Sequence, residues 1–154
     1  MTSGEQRIKK ILIAVDKSGY KDKIVAYAFD LAKAMGSEIA AIHVIDKASL
    51  GAVGDLLGYY RGGKIEVYQE EMKNQGQKLL NEVREKAEPL GVKVSTEVLV
   101  GSSVAATIID YAKDHDVDLV IIGTKGMTGV QKFLLGNVAN NVIANAHCPV
   151  LAIR

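Results

Sequence analysis

Leu119-Val120-Ile121-Ile122-Gly123-Thr124-Lys125-Gly126, followed after nine residues by Gly136-Asn137, reads as a buried strand that opens into a glycine-punctuated loop and then a helix start. Four consecutive apolar residues without polar alternation fit the middle of a parallel sheet, where both faces are covered. Chain leaving the carboxyl end of such a strand enters the crevice where open α/β sheets hold ligands, and glycine there lets backbone N–H groups come close to an anion. The stretch is therefore read as a phosphate-binding loop. It is not a Walker loop, which needs Gly-Lys followed directly by Ser or Thr. Nor is it a dinucleotide fingerprint, since Gly-x-Gly-x-x-Gly occurs nowhere in the 154 residues. A helix beginning near Asn137 would add free N–H groups and the positive end of its dipole. Lys125, inside the loop, could meet a phosphate, and Lys132 is a weaker candidate; either could equally be a solvated loop charge.

Outward from this loop, strand-like runs at Ile8 to Val15, Ile39 to Ile45, Val92 to Val100, Asp118 to Gly123 and Val150 to Ile153 alternate with helical patterns. That alternation predicts one α/β domain over 1–154, a parallel sheet with helices on both faces. Ile24, Ala28, Leu31 and Met35 recur at helical spacing until Gly36. From Met72, the positions Gly76, Leu79, Leu80, Val83, Ala87 and Leu90 predict a long amphipathic helix. Gly101-Ser102-Ser103 offers an N-cap to a helix carrying Val104, Ile108, Tyr111 and Ala112. Val138, Val142, Ile143 and Ala146 form the last helix, which ends before Pro149. Five glycines from Gly51 to Gly63, with Leu56, Leu57, Tyr59 and Tyr60 among them, predict a flexible, glycine-rich flap over 46–63.

Nineteen Lys and Arg against eighteen Asp and Glu leave a formal charge of +1, which gives no general attraction to nucleic acid or anionic membrane. One cysteine, Cys148, cannot form an internal disulfide and reads as a small buried hydrophobe. The polar N-terminus and strand-sized apolar runs predict a soluble, cytoplasmic protein with no signal peptide and no membrane span. His43, His115 and His147 lack metal-ligand spacing, so no metal site of the protein's own is expected, though a divalent ion can arrive with nucleotide phosphates. Ser102 and Ser103 have no Gly-x-Ser-x-Gly elbow. Asp16, at the end of the first strand, has two readings: a cap for the following helix, shared with Ser18, or a contact to a ligand held opposite the glycine loop.

The glycine spacing resembles the universal stress protein family, in particular its ATP-binding branch, whose signature is Gly, two residues, Gly, nine residues, Gly, then Ser or Thr. Ile11 to Asp16, Ile42 to Asp46 and Cys148 to Ile153 carry the resemblance along the chain. Gly123, Gly126 and Gly136 match, whereas Asn137 stands where the family's nucleotide binders have a hydroxyl. The resemblance implies a flavodoxin-like, adenine nucleotide alpha hydrolase-like fold with strand order 3-2-1-4-5. It implies ATP or another adenine nucleotide, with Mg²⁺ or Mn²⁺, between the first and fourth strands. The implied contacts are Ala14, Val15, Asp16, Val44, Ile122, Gly123, Lys125, Gly126, Gly136, Asn137, Val138 and Ala139. Asp16 would meet ribose or the phosphate and metal region, and the Val44 backbone the adenine base. A homodimer through Val150, Leu151, Ala152 and Ile153 is implied too. The function expected is a nucleotide-dependent stress-response sensor with an unidentified regulatory protein partner, slow in hydrolysis or self-phosphorylation if active at all; the alternative is a dimeric interaction protein that binds no nucleotide.

Overall fold

The computed structural model describes residue 5 and residues 7–18, 21–52, 65–124 and 136–154. Its strands are β1 (Lys10–Ala14), β2 (Glu38–Asp46), β3 (Val94–Gly101), β4 (Leu119–Gly123) and β5 (Val150–Ile153). Its helices are α1 (Lys21–Met35), α2 (Ile65–Ala87), α3 (Val104–Asp114) and α4 (Asn137–Asn145), with a 3₁₀ turn at Glu88–Leu90 closing α2. Every neighbouring pair of strands is parallel, and the order is β3-β2-β1-β4-β5. The chain winds outward from β1 to β3, then returns to the other side of β1 for β4 and β5. This reversal makes the β1/β4 junction the topological switch point.

Alternation along β1 separates two cores. Ile11 and Ile13 join Ile24, Ala28, Leu80 and Val83 under α1 and α2, whereas Leu12 joins Ile42, Ile108 and Val142 under α3 and α4. Leu119, Val120, Ile121 and Ile122 are all buried, as expected of a strand covered on both faces. Each such aliphatic side chain favours folding by roughly 1.5–3 kcal/mol, so these two cores are the main source of stability.

Helix ends follow local chemistry. Ser103 caps α3, its Oγ accepting from the Ala106 N–H at 3.2 Å. Gly36 and Gly91, at φ +67° and +70°, take the left-handed conformation that stops α1 and the 3₁₀ turn. α2 begins at Ile65, two turns before the stripe starting at Met72. Of the flap expected at 46–63, Asp46 closes β2 and residues 47–52 are helical with Leu50 buried, while residues 53–64 lie outside the described ones. No described helix is long and apolar enough to cross a membrane.

Candidate functional site

Two segments meet at the carboxyl end of the sheet. At the end of β1, the Val15 N–H continues the ladder by donating to the Ile42 carbonyl at 2.8 Å. Asp16 then turns the chain, its Oδ1 accepting the Ser18 N–H at 2.8 Å. This is an Asx turn. It lies before α1, whose first residue, Lys21, donates its N–H to the Ser18 carbonyl at 3.2 Å. Among the described residues Asp16 thus shapes the loop ahead of α1, and no described cation pairs with it.

At the end of β4, the Thr124 N–H donates to the Ile153 carbonyl at 2.9 Å, and the Gly136 N–H donates to the Thr124 carbonyl at 2.7 Å. The chain that leaves at Thr124 thus returns to it at Gly136, which is the N-cap of α4. Gly136 has extended backbone (φ −64°, ψ 160°) and brings no side-chain cap. The first N–H groups of a helix have no partner within it, so those of Asn137, Val138 and Ala139 are offered to whatever occupies the space before them.

That space is a crevice of about 260 Å³. It is lined by ten of the twelve residues that the resemblance implies: Ala14, Val15, Asp16, Val44, Ile122, Gly123, Gly136, Asn137, Val138 and Ala139. Lys125 and Gly126, like Lys132, lie outside the described residues. Ser18, Ile24, Val104, Ile108 and Thr124 line it as well. The sequence marked Ile24, Val104 and Ile108 only as buried helix stripes, and the same stripes run on into the crevice wall. The arrangement pairs an apolar slot, built from Ile24, Val44, Val104, Ile108 and Ile122, with an electropositive helix end and one carboxylate. A flat apolar ring with an anionic tail suits it.

Other reactive groups are accounted for locally. Cys148 packs against the α3/α4 core, and burial, with a smaller push from the charge of Asp118, holds its thiol pKa above the ordinary value. Its thiolate is disfavoured, which fits a packing role. His115 stacks on Tyr111 with ring centroids 3.8 Å apart, and burial followed by Glu97 raises the Tyr111 pKa. Among the described residues, no group of three or more His, Cys, Asp or Glu side chains could hold a metal ion. A larger hollow, about 780 Å³, opens at the amino end of the sheet among Lys9, Lys10, Lys33, Glu38, Lys93, Asp116 and Asp118.

The profile of the Universal stress protein family matches residues 7–154. Universal stress protein MJ0531 of Methanocaldococcus jannaschii is 39% identical, over 99% of this chain and 85% of its own length. The solved structure of the hypothetical protein MJ0577, from the same organism, aligns with a TM-score of 0.81 at 25% identity and covers 96% of each chain. A universal stress protein from Archaeoglobus fulgidus, solved in complex with dAMP, shares the fold at a TM-score of 0.63 and 22% identity, over 95% of this chain and 98% of that one. A profile that runs from residue 7 to the last residue, and a relative alike along almost the whole chain, make this protein a member of the universal stress protein family.

Proposed function

We propose that the chain binds an adenine nucleotide, ATP with Mg²⁺ or Mn²⁺ in the first instance, in the crevice between β1 and β4, and acts as a nucleotide-dependent regulator in a stress response. The observation that carries the reading is the N-terminus of α4, to which Gly136 brings no side-chain cap, lining the same crevice as Asp16 and an apolar slot. In this reading the α4 amides and the Gly123–Gly136 loop hold phosphate, Asp16 meets ribose hydroxyls or the metal, and the adenine lies against Val44, Val104 and Ile108. The dAMP complex of the Archaeoglobus fulgidus protein supports a nucleotide as the class of ligand on this fold. Backbone amides hold a ground-state phosphate as well as a transition state, and such uniform binding does not accelerate hydrolysis. Occupancy, rather than turnover, would then carry the signal.

Asn137 favours a second reading, a dimeric protein that works without nucleotide, because the hydroxyl of the motif is missing there. One hydrogen bond to a charged phosphate is worth roughly 1.5–3 kcal/mol, or about 10- to 100-fold in affinity, while the backbone donors remain. Weakened binding is therefore expected rather than none. Calorimetric titration with ATP and Mg²⁺ or Mn²⁺ separates the two readings: saturable heat supports the first, and none at millimolar ligand favours the second.

Both readings include a homodimer through Val150, Leu151, Ala152 and Ile153. β5 is an edge strand whose outer backbone groups can pair antiparallel with a second copy. Sedimentation of the wild-type protein at the mass of a dimer, shifted to monomer or lost to precipitation in Leu151→Lys, is the expected result. A soluble Leu151→Lys dimer would place the contact elsewhere.

A further inference from the structure

His43 lies on β2, and its ring Nδ1 sits 2.7 Å from the Val15 carbonyl oxygen. A carbonyl only accepts, so Nδ1 must carry a proton and donate. The bond is made where β1 leaves the sheet, and it grips the peptide that joins Val15 to Asp16. Alternation along β2 puts the His43 side chain on the α2 face, opposite that of Val44.

α2 shows why the ring stays in place. A Cβ at Gly76 would stand 2.6 Å from Cδ2 and 3.3 Å from Cγ of His43, and 3.3 Å from Cγ2 of Val98. Carbon atoms do not approach to 2.6 Å, so α2 lies on the ring at a separation that only glycine allows, although glycine is unfavourable in a helix interior. One residue earlier, Gln75 Oε1 accepts from Lys17 Nζ at 2.8 Å. Adjacent residues of α2 therefore hold the loop on both sides of Asp16, at Val15 through His43 and at Lys17 through Gln75. None of the described residues of α2 lines the crevice.

We infer that His43, wedged by Gly76, is a positioning residue for the crevice: by holding the Val15 carbonyl it fixes the peptide from which Asp16 enters the site, and it makes α2 the support of the acidic wall. The anchoring stands on the geometry alone. Its effect on ligand rests on the nucleotide reading above.

Heteronuclear NMR of the wild-type, His43→Phe and His43→Asn proteins, each also titrated with ATP and Mg²⁺, tests this. Phenylalanine keeps a ring without a donor, and the asparagine amide returns a donor near the place of Nδ1. A protonated Nδ1 is expected in the wild type. His43→Phe should move the amide resonances of Asp16, Lys17 and Ser18 and weaken ATP about 3- to 10-fold, the effect of one hydrogen bond. His43→Asn should recover a large part of both. If the wild type takes up no ATP while the amides still move and recover, the nucleotide reading fails and the anchor stands. A bare Nδ1 in the wild type, amides 16–18 unmoved in folded His43→Phe, or no recovery in His43→Asn overturns the anchor. The wild-type tautomer decides the matter if His43→Phe does not fold.

Discussion

The two ends of the sheet carry opposite designs. At the amino end the hollow is the larger, about 780 Å³ against about 260 Å³. Several of its polar groups, however, pair with one another. Glu38 lies 3.8 Å from Lys10 and 3.9 Å from Lys93, and Asp118 Oδ2 accepts the N–H groups of both Lys9 and Lys10 at 2.9 Å. Lys10 also donates to the His115 carbonyl at 3.0 Å, where α3 ends. Helix C-termini attract cations, and the lysines there supply them. At the carboxyl end the helix termini have the reverse polarity, and Gly136 brings no side chain to cap α4. The proposed binding site is thus distinguished by the backbone donors at the start of α4, not by the volume of the hollow.

The largest effect that sharpens this contrast is expected at Asn137. Asn137→Ser restores a hydroxyl beside the α4 amides and should tighten ATP binding by up to the same 10- to 100-fold, measured by titration. Weaker binding in that variant would mean that the asparagine amide is itself a phosphate donor. The smallest effect is expected at the other end. Glu38→Gln removes both of its surface ion pairs, which should shift stability by no more than about 1 kcal/mol in thermal melts and leave ATP affinity unchanged. A loss of affinity in Glu38→Gln would break the contrast.

The two-sided parallel sheet was legible because the apolar run of β4 and the alternating helix stripes are properties of side chains, whereas the strand order came from the family resemblance and is the order observed. Hydrogen-bond partners were not legible, and the element ends moved accordingly. The apolar pattern extends β1 over Ile8 to Val15, but the strand is Lys10–Ala14. The Lys9 N–H goes to the Asp118 carboxylate, and the Val15 carbonyl is met by His43. The first turns of α2 were hidden because they bury little there: Val67 is 62% exposed, so no stripe forms before Met72. In the site, the glycine spacing and Asp16 were visible as chemistry. Thr124 was not, since its place depends on β5 pairing with β4, and Ile24, Val104 and Ile108 look like any core residues until the helices are packed. Gly76 read as one more small position on a buried stripe, yet its role is set by a ring from β2.

The most direct test of the account is residue-resolved. ¹⁵N-labelled wild-type protein is titrated with ATP and Mg²⁺ while amide resonances are followed at both ends of the sheet. The account predicts saturable shifts at Ala14 to Ser18, Val44, Gly123 and Thr124, and Gly136 to Ala139, with Lys9, Lys33 and Lys93 still. Shifts that gather at Lys9, Lys33 and Lys93, with the α4 N-terminus unmoved, would contradict it.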